Sequence, residues 1–219
     1  MSWITVNEFK EMNDVEIDDN VLQNFINRAE DMFKMKFFMK KQFVYNNKKL
    51  EFEFLVDWYL ADNNKDWVVD RNDVRIYKTD GEIETPLIIN TFKRFLYTPK
   101  FQSTLTTESY YPSTKIKMKV DDYTFTDDEK VVFEFYVSPI NFTDERHQQF
   151  VKQYINLLTQ QLILKKFMVG SVEDGITSWS LNGVSVSTSP DIIQTQIEKL
   201  NERMRELVED YGIMLYATF

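Results

Sequence analysis

The sequence predicts an α+β protein in which both chain ends, residues 1–42 and 143–219, form a helical core of long helices plus a small β-hairpin, with residues 43–142 inserted as a β-rich module. The apolar residues recur every three to four positions in the two ends and every second position in the middle. Chain punctuation changes with that period: four of the five prolines lie between 86 and 139, and four of the five glycines at or after 170. With 219 residues, 43% apolar and 15% aromatic, one domain with an insertion is the default, and there is ample material for a core.

The elements follow in order. Trp3-Ile-Thr-Val-Asn-Glu-Phe9 predicts an extended lead into a small helical turn. Asp18-Asp19 then precede Val21, Leu22, Phe25, Ile26, Ala29, Met32, Phe33 and Phe37, an amphipathic helix with acids at its positive end. In the middle, Leu50, Phe52, Phe54, Val56, Trp58 and Leu60 alternate with polar neighbours, which is a strand signature, and a turn at Asn46–Lys49 joins it to a strand around Phe43-Val-Tyr45. Further strands are predicted at 74–77, at 83–89 after an Asp80-Gly81 turn, at 116–120 and at 131–137, with 91–114 irregular and exposed. Thr143-Asp144-Glu145 offers a capping hydroxyl and first-turn acids for a helix of about twenty-five residues to Gly170, roughly 37 Å long. Ser189-Pro190-Asp191 starts the last helix, whose apolar positions Ile193, Ile197, Leu200, Met204, Leu207 and Tyr211 are spaced 4, 3, 4, 3 and 4, and Gly212 stops it.

The hairpin at 178–187 is the sharpest local signal. Asn182-Gly183 suits a two-residue type I′ turn, which sets Leu181 opposite Val184 and Trp179 opposite Val186. The four apolar side chains then share one face and Ser178, Ser180, Ser185 and Ser187 the other. Such an arm either packs on its own helices or inserts between subunits. The segment Ile213–Phe219 is apolar in six of seven residues, so it is expected to be buried, as an edge strand of its own domain or in a partner.

Composition excludes much chemistry. With no cysteine and only His147, disulfides, thiol nucleophiles, iron–sulfur clusters and multi-imidazole metal sites are absent. There is no glycine-rich phosphate loop and no nucleophile elbow, and His147 is expected to be an exposed helical residue. No enzyme activity, cofactor or metal is expected. Asp62, Asn64, Asp66, Asp70 and Asp73 fall at positions 1, 3, 5, 9 and 12 of a calcium-loop frame, but Trp67 occupies the glycine position, so a polar turn is the expected structure. The net charge of −9, without a Lys/Arg run to compensate, speaks against nucleic-acid binding as the main function. No apolar window is long enough for a membrane span and the start lacks signal-peptide features, so a soluble chain made in a cytoplasm is expected.

Two stretches resemble the head-to-tail connector (adaptor, or neck ring) proteins of tailed bacteriophages. One is Trp3-Ile-Thr-Val-Asn-Glu-Phe with Val21-Leu-Gln-Asn-Phe-Ile-Asn-Arg-Ala-Glu-Asp-Met-Phe33, where a short Ile-Thr start leads to a helix carrying an Ala-Glu step. The other runs from Gln160 through the Ser-rich hairpin to Tyr211. Nineteen lysines against seven arginines, with fifteen asparagines, suit a phage of an AT-rich host, such as a crAss-like phage of gut Bacteroidetes. The resemblance implies a helical adaptor core in a homo-oligomeric ring, usually of twelve subunits. The ring would bind the portal protein and neighbouring neck or tail proteins in the virion, and DNA would pass without specific binding. The candidate subunit or portal interface comprises Trp179, Leu181, Gly183, Val184, Val186, Ile213, Leu215, Tyr216 and Phe219. The competing class is an adhesion or receptor-binding module using the β-rich middle, with Trp58, Trp67, Tyr110 and Tyr111 as stacking residues for a sugar. A carboxylate-dependent hydrolase is the third class, and two facing acids in a deep pocket would be its mark.

Overall fold

The computed structural model describes residues 2–97, 112–168, 178–181, 184–185 and 190–213. Its fold class is α+β, and the chain divides into two compact units, Met1–Lys36 with Asp144–Phe219, and Phe37–Thr143.

The first unit begins with α1 (Val6–Met12), whose Thr5 cap accepts from the Glu8 amide while the Glu8 carboxylate accepts from the Thr5 amide. The short strand β1 (Val15–Glu16) leads to α2 (Asp19–Phe37), and the Asp18 carboxylate accepts from the amides of Asn20 and Val21 at its start. Leu22, Phe25, Ile26, Ala29, Phe33 and Phe37 are buried as the periodicity requires. Met32, expected on that face, is 38% exposed, and the fully buried neighbour of Ala29 is Glu30. The Glu30 carboxylate accepts from the Trp3 amide at 2.7 Å and the Ser2 hydroxyl at 2.6 Å, which places the Trp3 ring edge-on to Phe33 with centroids 5.5 Å apart.

The second chain end contributes α3 (Glu145–Met168), β10 (Ser178–Leu181), β11 (Val184–Ser185) and α4 (Pro190–Asp210). Asp144, not Thr143, caps α3, accepting from the His147 amide, and the Thr143 hydroxyl donates to Asn141. Asn13 joins the two ends: its amide donates to Phe9 O and to Asn156 Oδ1, and its oxygen accepts from Gln160 Nε2 at 2.8 Å. Lys152 pairs with Glu8 beside them, and Lys36 donates to the Tyr154 hydroxyl. Helices α3 and α4 run antiparallel, with Gln161 bonded to Asn201 at one level, and Arg146 to Asp210 O and Phe150 against Tyr211 at another. Gly212, at φ 63°, ends α4.

The second unit is an antiparallel sandwich. Its strands are β2 (Met39–Tyr45), β3 (Glu51–Asp57), β4 (Tyr59–Leu60), β5 (Val74–Thr79), β6 (Glu84–Pro86), β7 (Ile89–Tyr97), β8 (Ser113–Val120) and β9 (Lys130–Ser138). One sheet has the order β2-β9-β5-β6 with β4 also on β9, and the other β3-β8-β7. Phe52 and Phe54 of β3 meet Phe133 of β9 at 4.3 and 4.9 Å, and Phe43 of β2 meets Phe54 at 4.6 Å, so the alternating apolar sets of both sheets interlock in one aromatic core.

The sequence expectation fails in three places here; first, the single strand predicted at 83–89 is divided between β6 on one sheet and β7, which begins at Ile89, on the other. The alternation through Trp58 predicts one strand, but Trp58 adopts a left-handed backbone (φ 74°), and β3 and β4 on either side of it pair with different sheets. Trp58 is thus a corner of the sandwich, fixed by its amide on Pro112 O and its carbonyl under the Thr114 hydroxyl. Residues 91–97, expected to be irregular, belong to the nine-residue strand β7. Their exposure reflects an edge strand, where only Phe92 and Arg94 reach half-burial.

Removing the Glu30 carboxylate while keeping the Trp3 amide buried tests the chain-end closure. Glu30→Ala is expected to lower unfolding free energy by roughly 1–3 kcal/mol in urea melts, and an unchanged midpoint would show that the closure does not rest on this bond.

Candidate functional site

The sequence-predicted interface falls only partly on described residues. Strand β10 pairs with β11 through Leu181 opposite Val184 and Ser180 opposite Ser185, and on its other side with β1 through Val15 opposite Trp179 and Glu16 opposite Ser178. Ile213 is buried, and its amide donates to Val208 O. Gly183, Val186, Leu215, Tyr216 and Phe219 lie outside the described residues, as do Tyr110 and Tyr111. The described part of this surface is therefore a three-stranded patch in which the arm is anchored to the segment between α1 and α2.

The segment 58–73 of the sandwich is the most constrained part of the chain. Trp58, Lys65 and Trp67 all have left-handed backbones, at φ 74°, 61° and 64°. Such conformations cost an L-residue roughly 1–2 kcal/mol each and persist only where the surroundings hold them. Two buried carboxylates do so around Lys65 and Trp67. Asp62 accepts from the amides of Asp66 and Trp67, and Asp73 from those of Asn63, Asn64 and Asp70. The oxygens of Asp62 and Asp73 in the calcium-loop frame are thus turned onto backbone N–H groups. Among the described residues no group of three or more His, Cys, Asp or Glu converges as a metal site. Trp58 and Trp67 are half-buried, each keeping part of its surface in solvent.

Burial pushes the Asp73 carboxyl up to about 6, against the pull of the Asp70 and Asn63 amides and with added repulsion from Asp62. Arg94, half-buried on β7, is lowered by burial, with Asp73 as the opposing charge. The two acids hold a loop in shape; nothing in their bonding resembles an acid and a base facing a substrate across a cleft. His147, expected to be exposed, is half-buried, and burial lowers its pKa.

No family model, curated protein or solved structure matches the chain. The arrangement of side chains is therefore the guide to function.

One assembly has no counterpart in the linear reading. The pleat places Lys115, Lys117 and Lys119 of β8 on the outer face of their sheet, with Lys93, Phe95 and Tyr97 of β7 and Glu51, Glu53 and Leu55 of β3 beside them. A sequence window shows no basic run because the lysines occupy alternate positions and two separate strands. Glu53 pairs with Lys115 and Lys117, and Glu51 with Lys119. On the outer face of the other sheet Glu134 gathers Lys40, Gln42, Arg75 and Tyr77, and the Lys40 bond holds its carboxyl below the usual range.

Asp73 predicts a pH signature. Its folded pKa lies above the unfolded value, so its contribution to stability is complete below about pH 4 and is lost as pH rises through about 6. His147 acts oppositely, its contribution being lost as pH falls through its lowered value. The comparison is therefore between chains: Asp73→Asn is expected to remove a fall in the urea midpoint between about pH 5 and pH 7.5, and an identical slope in both proteins would contradict the assignment.

Proposed function

We propose that the chain is a virion structural protein without enzymatic activity, a head-to-tail connector subunit that joins identical copies in a ring on the portal vertex and extends the DNA channel toward the tail. The observation that carries this reading is the bond between the Glu30 carboxylate and the Trp3 amide. It unites the Trp3-Ile-Thr start with the Ala29-Glu30 step, the two N-terminal stretches that resemble the connector family. In the structure the start leads through the Thr5 cap into α1, and the step lies in the middle of α2.

Three further features support it. The first unit is made from both chain ends and offers two long helices plus an arm tied to β1, the kind of parts a repeated heterologous interface uses. That unit carries 18 acidic and 11 basic residues, so a channel lined by it would repel phosphates rather than retain DNA. Among the described residues no helix is long and apolar enough to cross a membrane. The portal and the neighbouring neck or tail proteins are the partners this role requires.

A second reading, an adhesion or receptor-binding module, has one observation in its favour: two half-buried tryptophans on fixed backbone, Trp58 held by Pro112 and Thr114 and Trp67 by Asp62. One set of proteins separates the two. Wild-type chain is expected to cosediment with portal particles, and deletion of Trp179–Val186 or of Ile213–Phe219 to weaken that binding roughly tenfold or more. Portal binding that survives both deletions removes the arm and tail as the interface. Absence of portal binding, with saturable glycan quenching of tryptophan fluorescence that is lost in Trp58→Ala and Trp67→Ala, replaces the connector reading by the second.

A further inference from the structure

The lysine face of the sandwich sits in a chain of net charge −9, and a local surplus of the opposite sign needs a role. Lys115 is half-buried, and the exposed Lys93, Lys117 and Lys119 line a groove of about 490 Å³ together with Lys49, Thr91 and the two glutamates. Among the described residues no carboxylate lies within ion-pair distance of Lys49 or Lys93. The remaining pairs to Glu51 and Glu53 are exposed on at least one side, and solvent screens such pairs, so they exchange partners at little cost. Leu55 (67% exposed), Phe95 (43%) and Tyr97 (50%) adjoin Lys115 and Ser113 on the same face. The apolar side chains thus lie at one end of the lysine row, with Lys115 between Leu55 and Phe95, and exposed aromatic residues beside charged ones are common in protein-binding surfaces.

The partner's chemistry is written on the same chain. Helix α4 exposes Glu198, Glu202 and Glu206 four residues apart, followed by Glu209 and Asp210. Four helical residues advance about 6 Å, and two strand residues about 6.8 Å. The row Glu198-Glu202-Glu206 and the row Lys115-Lys117-Lys119 therefore stay in step over three positions, with a mismatch of about 1.6 Å that flexible lysine stems absorb. Glu206 is held only by the exposed Arg203 pair, and Glu198 accepts only from Gln194 among the bonds seen, so both remain open to new donors.

We propose that the lysine face of one copy docks the acidic row of α4 on the next copy. This rests on the ring reading and names the contact that would build the ring. Because the two surfaces differ, the contact is heterologous and repeats around an axis instead of ending at a pair.

Charge reversal in trans is the test. The sheet variant carries Lys93→Glu, Lys117→Glu and Lys119→Glu, and the helix variant Glu198→Lys, Glu202→Lys and Glu206→Lys; all six positions are exposed, and circular dichroism confirms folding. Self-association is read by sedimentation, alone and on portal particles, at low and high salt. Each variant is expected to associate roughly tenfold or more weakly than wild type, and an equal mixture of the two to recover assembly, because the inverted charges match again between copies. Assembly of the sheet variant equal to wild type overturns this contact while leaving the ring reading in place. A wild-type chain that forms no multimer alone or on the portal overturns both. Loss without recovery in the mixture, or a single-stranded oligonucleotide that binds wild type and not the sheet variant, assigns the face to another partner and overturns the proposal.

Discussion

Phe38 and Phe142 stand edge to face with ring centroids 5.5 Å apart, and the rest of the architecture depends on that closeness. They are the second residue of the inserted unit and the second from its end, so the sandwich opens and closes at one place. A flexible excursion of this length would cost about 4 kcal/mol beyond a constant term in loop closure, whereas a folded unit with adjacent ends acts on the helical unit as a short connection. The Asn13, Asn156 and Gln160 hydrogen bonds and the Glu8–Lys152 pair then join α1 to α3 across more than a hundred residues of sequence.

Both units use polar groups to specify geometry where apolar packing alone would leave it open. Glu30 selects the path of the first residues over α2, and an acid buried without its two donors would be strongly unfavourable, so the wrong path is excluded as well as the right one favoured. Asp62 and Asp73 do the same for 62–73, where they hold the turns around the left-handed Lys65 and Trp67, beyond the Trp58 corner at which the chain changes sheets. Charge is divided unequally: 18 acids against 11 bases in the helical unit, and 17 against 15 in the sandwich, where lysines collect on one face. That inequality is what a ring of identical subunits needs if each copy is to present different surfaces to its two neighbours.

Much of the fold is legible in the sequence because period and caps are local. The 4-3-4-3 spacing of Ile193 to Leu207, Pro190 and Gly212 define α4, and the alternation of Phe52, Phe54 and Val56 defines β3. What escaped depends on residues far apart in sequence. Trp58 continues an apolar alternation and carries no signal for the corner it makes, and Glu30 occupies a core position on α2 where Ser2 and Trp3, far away in sequence, donate to it. The lysine face was hidden for the same reason: Lys93 becomes the neighbour of Lys117 only through strand pairing. Asp62 and Asp73 were visible as an acidic pattern, but spacing alone does not show whether carboxylates turn toward a cation or toward their own backbone; here they turn to the backbone.

The central claim concerns where the chain works, and a localised electron-microscopy reconstruction of the portal vertex in particles that carry this chain tests it most directly. The account predicts a closed ring of identical subunits between portal and tail, with α3 and α4 resolved in every subunit and the DNA channel passing through the centre. Density for the chain at a fibre or the outer shell, with the portal seated directly on other proteins, would contradict it.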